Sequence, residues 1–144
     1  MKKIFCIVVA SIFVFSCIGY TWAKNIEKNE AQTTGMTYHR AQLEDKPIIL
    51  VFYVDWCTYC KKLIPKMKLL DAVYQNAYNL VFINCENPEN KQLVDDYYIT
   101  VYPTVYIVDE RIQNRIHIDS GYYDDINLLK RELDRYLIVR KLIK

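Results

Sequence analysis

Residues 48–70 read IILVFYVDWCTYCKKLIPKMKLL, and the fold turns on the change of pattern inside this stretch. Ile48 to Val54 is a run of β-branched and aromatic residues bounded by Pro47, the composition of a buried strand. From Cys57 to about Gln75 the pattern becomes that of a helix, with Leu63, Ile64, Met67, Leu69 and Leu70 set among lysines. Cys57 and Cys60 therefore stand at a strand-to-helix junction. Cys57 falls at the helix N-terminus, where unpaired N–H groups and the macrodipole favour a thiolate. Cys60 lies one turn on, close enough to form a disulfide with it. Pro65 removes one backbone donor inside the helix and predicts a kink.

Downstream, Leu80 to Cys85 is a second strand, closed by Glu86-Asn87-Pro88, and Pro88 opens a helix expected to run through Tyr97. Strand, helix, strand, helix with short connections favours parallel strands and right-handed crossovers. The ends of both strands then share one edge with Cys57, where ligands bind in open α/β sheets. Thr104–Val108 and Ile112–Ile118 are strands joined by the polar Asp109-Glu110-Arg111, so the sheet ends in an antiparallel hairpin. Gly121 breaks the chain. A last helix from Asp124 toward Lys141 carries Ile126, Leu129, Leu133, Tyr136 and Leu137 as one apolar stripe, expected to cover a face of the sheet. Upstream, Thr37 to Lys46 reads as a short helix with Thr37 as N-cap.

The 144 residues, 52% of them hydrophobic, suffice for one domain with its own core. Met1-Lys2-Lys3 and the 15 apolar or small residues from Ile4 to Ile18 form a charged start and a hydrophobic run shorter than the ~20 residues of a spanning helix. This reads as a signal peptide over 1–23, with Thr21-Trp22-Ala23 as the cleavage region. Residues 24–36 are polar and aperiodic, as in a flexible linker. The domain then occupies 37–144. The expected location is periplasmic or secreted. The alternative is a chain lipid-anchored at Cys17, because Val14-Phe15-Ser16-Cys17 is similar to a lipoprotein box. Two of the 19 basic residues and none of the 17 acidic ones fall in 1–23. The remainder has no net formal charge, which argues against a nucleic-acid partner. Cys57, Cys60 and Cys85 remain outside the leader, an odd number that does not suggest a structural disulfide framework.

Trp56-Cys57-Thr58-Tyr59-Cys60-Lys61, Pro65 in the same helix and Tyr102-Pro103-Thr104 before a strand together resemble the thioredoxin superfamily, over about residues 45 to 140. The resemblance implies an α/β thioredoxin-like fold: a central mixed β-sheet flanked by helices, with a cis-proline loop, at Pro103, facing the N-terminus of the CxxC helix. It also implies an exposed nucleophile at Cys57 and a buried resolving thiol at Cys60. Within the superfamily the chain looks most like secreted thioredoxin-like reductases of bacterial envelopes. It departs from cytoplasmic thioredoxins at Val51 and Phe82, which stand where those carry a buried aspartate and a lysine. Thr58-Tyr59 replaces the Gly-Pro between the family's cysteines.

The chemistry so implied is thiol-disulfide exchange, in which Cys57 attacks and Cys60 resolves the mixed disulfide. Asp55 should raise the Cys57 pKa while Lys61 and Lys62 lower it, giving a moderately acidic thiol. Pro103 leaves the backbone of Tyr102 free to align an extended substrate segment, and Trp56, Thr58 and Tyr59 complete the substrate-binding set. No cofactor is expected beyond the redox-active Cys57–Cys60 disulfide. No metal is expected either: there is no second CxxC, and His39 and His117 lack ligand spacing. Cys85 reads as a small buried hydrophobe. The expected partners are oxidised or unfolded envelope proteins as substrates and a membrane thiol electron donor, acting on a monomer. The resemblance implies a reductase rather than an oxidase or an isomerase. The superfamily's periplasmic oxidases carry an inserted helical domain between the active-site helix and the cis-proline, and its isomerases add a dimerisation domain. The 43 residues from Cys60 to Pro103 leave no room for the insertion. Residues 24–44 are too few for a dimerisation domain. A non-enzymatic thioredoxin-fold binding module is the alternative from another class.

Overall fold

Strand β1 (Ile48–Tyr53) is apolar on both faces, and the other elements pack around it. The computed structural model describes residues 36–143. The expected signal peptide, Cys17 and the linker up to residue 35 lie outside the described residues. The described chain runs α1 (Tyr38–Gln42), β1, α2 (Thr58–Tyr74), β2 (Asn79–Asn84), a 3-10 turn (Pro88–Asn90), α3 (Lys91–Asp96), β3 (Thr104–Asp109), β4 (Asn114–Ile118), a second 3-10 turn (Ser120–Tyr122) and α4 (Ile126–Leu142). No described helix is long and apolar enough to cross a membrane.

The sheet order is β2-β1-β3-β4, with β1 parallel to β2 and the pairs β1/β3 and β3/β4 antiparallel. Alternation along β1 sends Ile49 and Val51 to one face, against Leu63, Met67 and Leu70 of α2 and Leu129, Leu133 and Tyr136 of α4. Ile48, Leu50 and Phe52 go to the other, with Ala41 of α1, Tyr97 and Val108. This is the mixed sheet flanked by helices that the sequence implies. Register then brings three chain segments to one edge. Tyr53 pairs with Asn84 and Phe52 with Thr104, so the residues after β1, those after β2 and those before β3 all meet there.

Four expectations shift in detail. The helix through Pro88 is two pieces, because Asn90 takes the bridge conformation (φ −91°, ψ −2°) between the 3-10 turn and α3. Strand β4 begins at Asn114 rather than Ile112, since Gln113 has a φ of 48° and the turn consumes residues 110–113. Asp109 belongs to β3 and is buried, not part of a polar turn. The last helix starts at Ile126, where the Asp125 side chain accepts the N–H of Asn127. Helix α2 continues through Pro65, which is exposed.

Tyr123 holds the β3–β4 pair near the site edge. Its hydroxyl accepts the Val105 N–H at 3.0 Å and donates to the Ile118 carbonyl at 2.9 Å, both in the core. Tyr123→Phe strips both partners at once, and we expect a loss of about 1–3 kcal/mol in urea unfolding.

Candidate active site

Helix α2 starts abruptly because Cys57 is still extended (φ −72°, ψ 118°) and its sulfur takes the place of a capping oxygen, accepting the Cys60 N–H at 3.3 Å. The same sulfur lies 3.6 Å from the carbonyl of Tyr102, to which its S–H donates. The Tyr102–Pro103 peptide bond is cis. In this state the Tyr102 carbonyl, expected to be free for substrate, is engaged by the thiol. Loss of the Cys57 proton removes that donor.

Cys57 and Cys60 form a small cluster with Val54, lined by Tyr53, Ile64, Cys85 and Tyr102. Both cysteines are buried, at 7% and 1% exposure. Cys57 is thus more recessed than the exposed nucleophile that the resemblance implies, because these neighbours pack over it, yet it remains the more accessible of the two. Trp56 and Tyr59 are exposed, at 67% and 69%. The Trp56 ring meets the edge of Tyr102 with centroids 6.3 Å apart. Thr58 is exposed and Pro103 half-buried. The expected site residues therefore occupy one edge: Trp56 and Tyr102 touch each other, and Tyr102 touches Cys57.

The two thiols are pushed apart. Burial drives the Cys57 pKa up, but hydrogen bonds from the Cys60 thiol and from the N–H groups of Cys60 and Tyr59, together with the charge of Lys61, outweigh it and leave the thiol below its ordinary value. Burial, the hydrogen bond to Cys57 and the Cys57 charge push Cys60 up to about 12. Iodoacetamide should therefore label Cys57 with a midpoint below that of a free cysteine, while Cys60 stays unlabelled across neutral pH; peptide mass mapping against pH reads both.

The balance of nearby charges differs from the sequence expectation. The Asp55 carboxylate is turned to the Asn84 amide, with Nδ2 to Oδ2 at 3.1 Å. Lys62 lies over the Tyr59 ring at 5.8 Å. The cation that acts on Cys57 is Lys61.

Sequence reasoning did not find the role of the β2 end. Cys85 is half-buried, donates its N–H to the Tyr53 carbonyl at 2.9 Å, and packs against the dithiol cluster. Burial pushes its thiol up to about 11, although the residue is half-buried rather than the fully buried small hydrophobe expected there. The signal was available in the parallel register, which puts the residue after β2 beside the residues after β1. Val51 is fully buried and Phe82 half-buried, so neither supplies a titratable group to Cys60. Among the described residues no cluster of His, Cys, Asp and Glu could hold a metal ion.

The family model for thioredoxin matches residues 29–128. The chain is 25% identical over 103 residues to the chloroplast thioredoxin-like protein HCF164 of Arabidopsis thaliana, covering 72% of this chain and 38% of that protein. It is 34% identical over 64 residues to protein disulfide-isomerase 1 of Dictyostelium discoideum, covering 43% of this chain and 18% of that protein. The chain thus spans much less than two thirds of either relative. Among solved structures, thioredoxin f from spinach chloroplast superposes with a TM-score of 0.54 at 27% identity, over 67% of this chain and 85% of that one. Thioredoxin f2, solved in complex with ferredoxin:thioredoxin reductase, gives 0.51 at 32% identity, over 63% and 79%.

Proposed function

Because the chain belongs to the thioredoxin family, with both cysteines of its CxxC motif in place, we propose that it is a thiol-disulfide oxidoreductase that reduces protein disulfides outside the cytoplasm, in a bacterial envelope. One observation carries the reading. The Cys57 sulfur caps a helix N-terminus with its pKa depressed, while Cys60, one turn on, is held protonated.

In the proposed cycle the Cys57 thiolate attacks one sulfur of the substrate disulfide, the S–S bond breaks, and the other substrate sulfur leaves as a thiolate. The charge on Cys57 is then gone, and with it two of the causes that hold the Cys60 proton: the Cys57 charge and the hydrogen bond to it. Cys60 deprotonates more readily at this stage only, which orders the two steps. It attacks Cys57, releases the second substrate thiolate and leaves a Cys57–Cys60 disulfide. The substrate gains two electrons, and its sulfurs take two protons, one from Cys60 by way of solvent and one from solvent itself. Trp56, Thr58, Tyr59, Tyr102 and Pro103 line the approach of an extended oxidised or unfolded segment.

Regeneration requires an external dithiol, and we assign that role to a membrane thiol electron donor acting on a monomer. The apolar leader at residues 4–18 supports a periplasmic or secreted location, with lipid anchoring at Cys17 as the alternative. Mass spectrometry of the mature N-terminus separates a chain starting near Lys24 from one acylated at Cys17. Activity is tested by thiol-dependent reduction of insulin disulfides: turnover by the wild type supports the enzyme reading, and its absence leaves a binding module.

A further inference from the structure

The turn that delivers Cys57 to α2 is tied to the end of β2 by a closed ring of three hydrogen bonds. The Asp55 N–H donates to Glu86 Oε2 at 3.0 Å, the Glu86 N–H to Asn84 Oδ1 at 2.9 Å, and Asn84 Nδ2 to Asp55 Oδ2 at 3.1 Å. The ring uses both ends of the half-buried Asn84 amide and one oxygen from each of two exposed carboxylates. Only a side chain that both donates and accepts can close it, which a carboxylate or an aliphatic residue at position 84 cannot do.

Asp55 stands two residues before the attacking sulfur. A carboxylate free to swing there would oppose a thiolate, but the amide of Asn84 holds it toward β2. The other charged and titratable groups around Cys57 are Tyr53 at the end of β1, which also faces Asp55 and Asn84, Cys60 and Lys61 on α2, Lys62 over Tyr59, Tyr102 on the loop before β3, and Cys85 and Glu86 after β2.

We propose that Asn84 and Glu86 are positioning residues for the dithiol: their ring fixes the Asp55-Trp56 turn and keeps the Asp55 carboxylate turned away from the Cys57 sulfur. The proposal rests on the reading of Cys57 as the attacking thiol, but needs no substrate.

The test is the pH profile of Cys57 alkylation by iodoacetamide in the reduced protein, for wild type, Asn84→Ala, Asp55→Asn and the double variant. Freeing the carboxylate in Asn84→Ala should raise the midpoint and slow alkylation at pH 7 by about 3- to 10-fold. Asp55→Asn alone should change the rate by less than about twofold, because the charge it removes is already held aside. The double variant should label at least as fast as wild type. Asn84→Val, which can neither donate nor accept there, breaks the same ring with a strand-compatible side chain and should behave as Asn84→Ala does. An unshifted profile in both Asn84 variants overturns the proposal, as does a double variant as slow as Asn84→Ala. So does an Asp55→Asn effect as large alone as in the Asn84→Ala background. Alkylation proceeds whether or not the protein reduces disulfides, so failure of the reductase reading would appear in the insulin assay and not here.

Discussion

Cys57→Ser is expected to reduce thiol-dependent insulin reduction by on the order of a thousandfold or more, to the background of the reductant alone. The hydroxyl keeps the helix cap but is not ionised near neutral pH, so the attacking species is lost while the fold is retained. Cys60→Ser should behave differently. The first attack still occurs, but nothing resolves the mixed disulfide, and the protein should accumulate covalently bound to substrate through Cys57. Mass spectrometry under non-reducing conditions reads that adduct. Equal residual turnover in the two variants, with no adduct in Cys60→Ser, would contradict the division of labour.

The largest stability effect is expected far from the dithiol, at Asp109→Ala. Asp109 is 1% exposed at the C-terminal end of β3. Its Oδ2 accepts from Tyr136 Oη at 3.0 Å and from Arg140 Nε at 2.5 Å, and its Oδ1 from the Arg111 N–H at 3.2 Å. Arg140 also reaches Asp45 with Nη2 at 2.9 Å, joining the end of α4 to the loop after α1. Removing the carboxylate leaves a mostly buried guanidinium and a buried phenol without their shared acceptor. Breaking such a pair from one side costs about 3–5 kcal/mol, read as a drop in the urea midpoint at constant m-value. Asp109→Asn keeps an acceptor and should lose less. Neither variant should move the Cys57 alkylation profile, since Asp109 lies at the opposite end of β3 from Thr104 and the dithiol edge.

The elements around the CxxC motif were legible because period and punctuation agreed there. The apolar run of β1 gives way at Asp55, Cys57 caps the helix that begins at Thr58, and the stripe of α4 matches the buried set Leu129, Leu133 and Tyr136. The sequence placed the ends of β1 and β2 at one edge but could not show which of their residues the register sets side by side. Asn84, Cys85 and Glu86 read as a strand end and a turn. Only the parallel register, Tyr53 opposite Asn84, turns them into part of the site. Asp109 was read as a turn residue by its charge, because the partners that make its burial tolerable, Tyr136 and Arg140, lie one helical turn apart on a helix 27 or more residues away. Gln113, with its left-handed backbone, shortened a strand that β-propensity alone would have begun at Ile112.

The reductive direction is tested most directly by the reduction potential of the Cys57/Cys60 pair, from equilibration with glutathione or dithiothreitol buffers. The proposed reductive role predicts a potential near ~−270 mV, in the range of reducing dithiols. A value near ~−120 mV, that of a strong disulfide donor, would contradict it.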